Sequence, residues 1–293
     1  MTQFTLISLV MAHILIAGCG YVGTALGLRL LQDGHVVFGL RRNVDKLPLG
    51  FTRIEADLEL PRTLDRIPAV DVAVFAAAPN RSDPESYTSL YLRGFNHLLQ
   101  ALKRARNPPR RVLMVSSTSV YGQLTGEWVD ETSPTEPVHS NGQLLRKSEE
   151  QLAQSKLPYV IFRAAGIYGP GRTKLLRDVC QGLARFPSNV VQFTNRIHRD
   201  DCAGALRHLI GLRATDTHYI GADSDPVDRK TLLVWLAEQL GAPFPTAGKV
   251  DTSAKRFTSK RCCNDRLLET GYALRYPSFR DGYRPILLNM PAA

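Results

Sequence analysis

The chain has 293 residues, 44% hydrophobic and 22% charged, which suits a globular protein with a sizeable core and excludes disordered, fibrous and membrane-filling classes. Its formal net charge of +10 and pI near 9.6 favour anionic partners, a property that bears on steering and not on fold. Cys19, Cys180, Cys202, Cys262 and Cys263 are odd in number and lack C-x-x-C spacing, so they predict a reducing, cytoplasmic setting with neither a disulfide framework nor a zinc site.

The N-terminal TLISLVMAHILIAGC resembles a signal segment, but no Lys or Arg precedes it and the apolar run is too short to span a bilayer. Residues 1–10 read as a leader, with Met11 an alternative start, and HILIA (13–17) as a buried strand. The motif Gly18-Cys19-Gly20-Tyr21-Val22-Gly23 follows that strand and opens the helix YVGTALGLRLLQDG. Gly18 allows the tight turn, Gly20 the approach of a pyrophosphate, and Gly23 close packing of helix on strand. The free amides from Tyr21 and Val22 onward face the phosphates.

The next strand, HVVFGL (35–40), ends in Arg41-Arg42, where a dinucleotide site reads the adenosine ribose. An acidic residue there accepts bonds from a 2′-hydroxyl, whereas a guanidinium pairs with a 2′-phosphate, so NADP is expected over NAD. A plain surface basic pair is the alternative. Asp57 in IEADL ends the next short strand, where it or Leu58 is expected to border the adenine, and Ala76, Ala77 and Ala78, at the end of the strand VDVAVFAAA (70–78), are expected to let the cofactor come close. The basic run KRARNPPRR (103–111) has no interleaved aromatic residues and reads as a solvated face, which disfavours nucleic acid as a partner.

RRVLMVSS (110–117) and YVIFRAA (159–165) complete an alternation of short apolar runs and helices, the pattern of an α/β, Rossmann-type doubly wound parallel sheet over residues 1–165. Residues 166–293 read as a smaller, mostly helical substrate-binding region: a GPGRTK turn, a VVQF strand, and helices at LLRDVCQGLARF, RDDCAGALRHLIGL, KTLLVWLAEQLG and NDRLLETGY. Arg172 and Arg196 are candidates to contact an anionic substrate, with a surface salt-bridge network as the alternative.

GCGYVG, ADL, SSTSVYG, RAAGIYGPG and NRIHRDDCAGAL occur in the order seen in the extended short-chain dehydrogenase/reductases, the nucleotide-sugar epimerases and dehydratases. The chain resembles that family, most closely its atypical branch. The resemblance implies that Ser117, four residues before Tyr121, hydrogen-bonds the reacting oxygen. It also implies a Tyr-x-x-x-Lys pair, but the matching positions hold Asn141 and Leu145. One step along they are Gly142 and Arg146, and two steps along Gln143 and Lys147.

The helix itself is expected to survive, with Ser140 and Gln143 as a capping box and Leu144, Leu145, Ser148 and Leu152 facing inward. His139 is the first candidate to replace the lost proton donor, followed by Tyr121, Tyr168 and Lys147. Arg163, His198, Asp200 and Asp201 match landmarks on the substrate side, and Asp201 is placed to cap or bridge its helix. Two functions follow. One is an NADP(H)-dependent oxidoreductase, epimerase or dehydratase acting on a nucleotide sugar or related phosphorylated carbonyl compound. The other is an NADP(H)-binding regulator or scaffold without turnover. The resemblance further implies a homodimer through helices near 84–106 and 141–155.

Overall fold

In a computed structural model, residues 11–81, 83–249 and 257–289 are described. The expected leader lies outside them. Seven strands form one parallel sheet: β1 (His13–Ala17), β2 (Val36–Arg41), β3 (Thr52–Glu55), β4 (Val72–Phe75), β5 (Arg111–Ser117), β6 (Tyr159–Ala164) and β7 (His218–Gly221). Their order across the sheet is β7-β6-β5-β4-β1-β2-β3. The direction of winding reverses between β1 and β4, which opens a crevice at their carboxyl ends.

Helices cover both faces, so the strands are apolar on both sides. Alternation along β1 sends Leu15 and Ala17 into one cluster with Phe75 and Met114, and Ile14 and Ile16 into another with Val74 and Leu113. The first cluster is closed by Leu98, Leu99 and Leu102 of α2 (Phe95–Arg104) and by Leu145 and Leu152 of α3 (Ser140–Gln154). The second is closed by Leu26 and Leu30 of α1 (Tyr21–Gln32) and by Leu206 and Leu209 of α4 (Arg199–Gly211). A third cluster joins Leu232, Leu233 and Leu236 of α5 (Arg229–Leu240) to Phe279, Tyr283 and Ile286 of α6 (Phe279–Leu288).

Several expectations change at this level. The run 70–78 is strand only as far as Phe75, because Ala76–Ala78 leave the sheet at the crevice. The seventh strand comes from beyond residue 165: Tyr219 and Ile220 are fully buried, one on each face, and β7 pairs with β6 from His218↔Ile161 to Gly221↔Ala164. Of VVQF, only Phe193 enters a strand, the two-residue Phe193–Thr194, which pairs with Val227–Asp228.

Arg111, at the end of the basic run expected to be solvated, is buried. Its Nη1 donates to the Leu209 and Leu212 carbonyls at 2.7 and 2.9 Å, satisfying the C-terminal end of α4. Among the described residues no helix is long and apolar enough to cross a membrane.

Candidate active site

The crevice begins at the glycine loop. Gly18 has φ +93°, and a Cβ there would run into the Ala77 backbone, so turn and strand end are fitted to a residue without a side chain. A Cβ at Gly23 would lie 2.5 Å from the Gly18 carbonyl oxygen. Gly20 differs, since a Cβ there meets nothing within 4 Å and faces open space. It is also the N-cap of α1, where no side chain accepts the first amides and no acidic residue occupies the first turn. Open room beside unshared amides at a helix N-terminus fits a dinucleotide pyrophosphate.

Val22 contributes through its backbone, its side chain being buried in the core. Tyr21 is half-buried: its hydroxyl donates to the Pro170 carbonyl at 3.0 Å, and the Arg172 guanidinium lies 4.3 Å from its ring centroid. It therefore ties the glycine loop to the 169–172 turn.

Arg41 ends β2 half-buried, and its Nη1 donates to the Cys19 carbonyl at 3.0 Å. One guanidinium edge braces the glycine loop while other donors remain for a ligand. Arg42 is exposed beside it. Asp57 lies two residues past β3, and its Oδ1 accepts the Glu59 amide at 3.0 Å. The Leu58 side chain is buried, and its carbonyl accepts from His97 Nδ1 at 2.9 Å. Ala76 and Ala77 are half-buried and Ala78 is exposed at the end of β4.

Ser117 closes β5. Its Oγ accepts the Ser119 amide at 3.1 Å and starts the short 3-10 turn Thr118–Val120. That bond uses a lone pair and leaves the hydroxyl hydrogen free to donate elsewhere. Ser117 forms part of the wall of an open cleft of about 610 Å³, together with Arg172 and Arg196, so the structure brings three of the expected residues to one cavity. Lys174, Arg177 and Lys260 also line it, and among the described residues no Asp or Glu does. Arg196 is buried and its Nη1 donates to Thr194 Oγ1 at 2.9 Å, whereas Arg172 is exposed and donates to the Ile167 carbonyl at 2.8 Å. Tyr168 and Tyr283, stacked with centroids 4.6 Å apart, close one side of the cleft, and burial pushes both phenols up.

His139 is not part of this wall. It is the N-cap of α3, with Nε2 3.0 Å from the Phe257 carbonyl oxygen. The capping box expected from Ser140 and Gln143 does not form: no side chain caps the helix, and Gln143 Nε2 donates back to the Pro137 carbonyl at 3.2 Å. Leu145 sits in the core at 3% exposure. Gly142 presses α3 onto the loop after Ser117, where a Cβ would collide with the Ser119 carbonyl.

One partnership was missed in the sequence. Glu149 of α3 is buried, and its Oε2 accepts from Arg163 Nη2 at 2.8 Å. Its Oε1 accepts from Arg163 Nε at 3.1 Å and from Ser116 Oγ at 2.7 Å. Arg163 Nη1 donates in turn to the Tyr121 hydroxyl at 2.9 Å. This network fixes both ends of the SSTSVY segment that carries Ser117. Asp201 is the bridge expected of it, accepting the Arg275 and Tyr276 amides at 2.8 and 2.9 Å. No local sequence pattern marks Lys260, Lys174 or Arg177 either; Lys260 belongs to a strand whose partner, Glu127–Val129, is remote in sequence.

Residues 14–200 match the family model described as the NAD dependent epimerase/dehydratase family. Protein YeeZ of Escherichia coli K12 is 28% identical over 287 residues, covering 91% of this chain and 97% of that protein. A solved structure of a candidate NAD-dependent epimerase/dehydratase from Methylobacillus flagellatus shares 36% identity with a TM-score of 0.80, covering 95% of this chain and 98% of that one. Human epimerase family protein SDR39U1, solved with NADPH, shares the fold at 21% identity and a TM-score of 0.77, covering 95% of this chain and all of that one.

Proposed function

The chain belongs to the NAD dependent epimerase/dehydratase family, and on that footing we propose that it moves hydride between NADP(H) and an anionic carbonyl or alcohol compound, a nucleotide-linked sugar or a related phosphorylated metabolite. One observation carries the substrate class. The cleft that meets Ser117 is lined by Arg172, Lys174, Arg177, Arg196 and Lys260 and, among the described residues, by no carboxylate. Cations gathered in a concave site raise the local concentration of anions and can clamp a phosphate bidentately.

Each residue then has a task. The amides after Gly20 hold the pyrophosphate, and Arg41 with Arg42 binds the 2′-phosphate. The nicotinamide supplies hydride when bound. Ser117 donates its free hydroxyl hydrogen to the substrate oxygen, stabilising the charge that develops there. Tyr21 and Arg172 join the two binding regions, so that an anion in the cleft also firms the glycine loop.

Titration tests the two binding statements together. Wild-type protein binds NADPH in preference to NADH, and with the glycine loop filled by NADPH it binds inorganic pyrophosphate in the cleft. Arg41→Asp removes a charged hydrogen bond, a loss of about 1.5–3 kcal/mol, or roughly 10- to 150-fold in NADPH affinity. Because Arg41 also braces Cys19, NADH is the control: equal losses for both cofactors, or no preference in the wild type, contradict the ribose-reading role. No affinity for pyrophosphate contradicts the anionic cleft.

A second reading has its own observation. Asn141 cannot exchange protons near neutral pH, and Leu145 is buried in the core, so the helix that holds the proton pair in the wider family offers none here. That favours an NADP(H)-responsive binding protein without turnover. Hydride transfer by the isolated protein separates the two readings.

A further inference from the structure

If turnover occurs, the oxygen held by Ser117 needs a proton from some other part of the cleft wall. A guanidinium does not serve as a proton donor near neutral pH, which leaves out the arginines of the wall. Burial makes Tyr168 and Tyr283 weaker acids than free tyrosine. Lys174 is largely in solvent and is paired with Asp178 at 2.7 Å. Lys260 is different: it is 3% exposed, and among the described residues its ammonium has one polar partner, the Tyr121 carbonyl at 3.0 Å. A buried ammonium with a single neutral partner is costly to keep unless it serves a ligand or gives up its proton.

The geometry points to Lys260 as the acid that protonates the substrate oxygen bound at Ser117. The inference rests on the carbonyl chemistry proposed above and supplies the group that chemistry lacks. Lys260 opens the short strand Lys260–Cys262, paired in parallel with Glu127–Val129, and both Lys260 and Cys262 are buried. Asn195 fixes this strand by donating to the Lys260 carbonyl at 2.9 Å and accepting the Cys262 amide at 2.8 Å. The ammonium is thereby laid against the loop that follows Ser117, in the same wall as Ser117 and Thr118.

Burial lowers the Lys260 pKa, with Glu127 opposing the shift. The groups around it are Cys262 on its own strand, Glu127 on the paired strand, Thr118 and Tyr121 on the loop, and Arg172 and Arg196 elsewhere along the cleft. The Cys262 thiol, pushed up to about 12 by burial, stays protonated and adds no charge.

The step balances. The carbonyl carbon takes hydride from the reduced nicotinamide, and the π electrons move to oxygen. That oxygen takes a proton from Nζ as the N–H pair stays on nitrogen, and the neutral amine recovers a proton from water. The nicotinamide is oxidised and the carbonyl is reduced to an alcohol.

Pyridoxal 5′-phosphate is a suitable probe, being an anionic aldehyde that forms an imine only with a neutral amine. The full chain is incubated with it, reduced with borohydride and mapped by mass spectrometry. The expected result is modification of Lys260 ahead of the surface lysines, faster at pH 8 than at pH 6, and suppressed by inorganic pyrophosphate. Modification of Lys174 with Lys260 untouched overturns the inference, since an amine that an anionic carbonyl compound cannot reach from the cleft cannot protonate one.

Calorimetry with pyrophosphate keeps the two failures apart. Binding without labelling sinks the lysine's role, whereas labelling without binding sinks the anionic cleft and leaves the lysine. With a substrate in hand, Lys260→Met, shown by titration to bind NADPH normally, loses about 10²-fold or more in kcat with KM little changed. Retained kcat overturns the assignment. Should that variant fail to fold, the labelling of the wild type decides.

Discussion

Glu149→Leu is expected to lower stability by about 3–5 kcal/mol, because it leaves the buried Arg163 guanidinium without its carboxylate. In a chain of this size that is a fall of roughly 5–8 °C in Tm. Ser116 loses its acceptor in the same stroke, since its hydroxyl donates to Glu149 Oε1 at 2.7 Å. The double variant Glu149→Leu/Arg163→Met should recover part of the loss, because apolar groups of similar shape replace a buried pair far better than a widowed charge does. A urea melt of both variants checks this. A loss under about 1 kcal/mol in the single variant contradicts the network as described. The loss should reach function too, because the pair anchors β5 beside Ser117 and, through Tyr121, the loop on which Lys260 rests.

Gly20→Val separates folding from cofactor binding. A Cβ at Gly20 meets nothing within 4 Å, so the folding cost is that of valine at a helix N-cap, about 1 kcal/mol. The added methyls occupy the room left for the pyrophosphate. NADPH affinity should therefore fall by about 10²-fold or more, equivalent to about 2.7 kcal/mol or more. Gly18→Val behaves differently: at φ +93° and against the Ala77 backbone it strains the loop itself and lowers Tm along with affinity. A thermal melt beside a fluorescence titration distinguishes them. Unimpaired NADPH binding by Gly20→Val would contradict the placement of the pyrophosphate.

β1, β2, β4, β5 and β6 were legible because two covered faces demand short apolar runs, and Ile14, Leu15, Ile16 and Ala17 are all fully buried; the edge strand β3 was legible only as a short run ending near IEADL. β7 was not, since HYIG is four residues long, ends in glycine and carries no alternation to separate it from a loop. The glycine loop could be read because backbone approach leaves its mark in glycine spacing. Arg172 and Arg196 could be read as charges beside family landmarks, and the structure adds that they share a cavity with Ser117.

Glu149 was hidden inside a helical run of charged residues, where only the fold shows that this acid faces Arg163 while Glu150 faces solvent. Lys260 was hidden by topology. Its carbonyl is held by Asn195 and its ammonium by Tyr121, contacts that no local pattern joins. His139 illustrates the converse: a suitable titrating side chain near the right helix, placed by the fold on the Phe257 carbonyl and not in the cleft wall.

The most direct test of the account uses NADPH deuterated at C4, incubated with the protein and a panel of nucleotide sugars and phosphorylated carbonyl compounds, with products followed by mass spectrometry. The account predicts one deuterium on the former carbonyl carbon of an anionic compound, lost with Gly20→Val. No deuterium in any product, with NADPH binding confirmed, would contradict the hydride-transfer role and leave the cofactor-binding regulator as the better description.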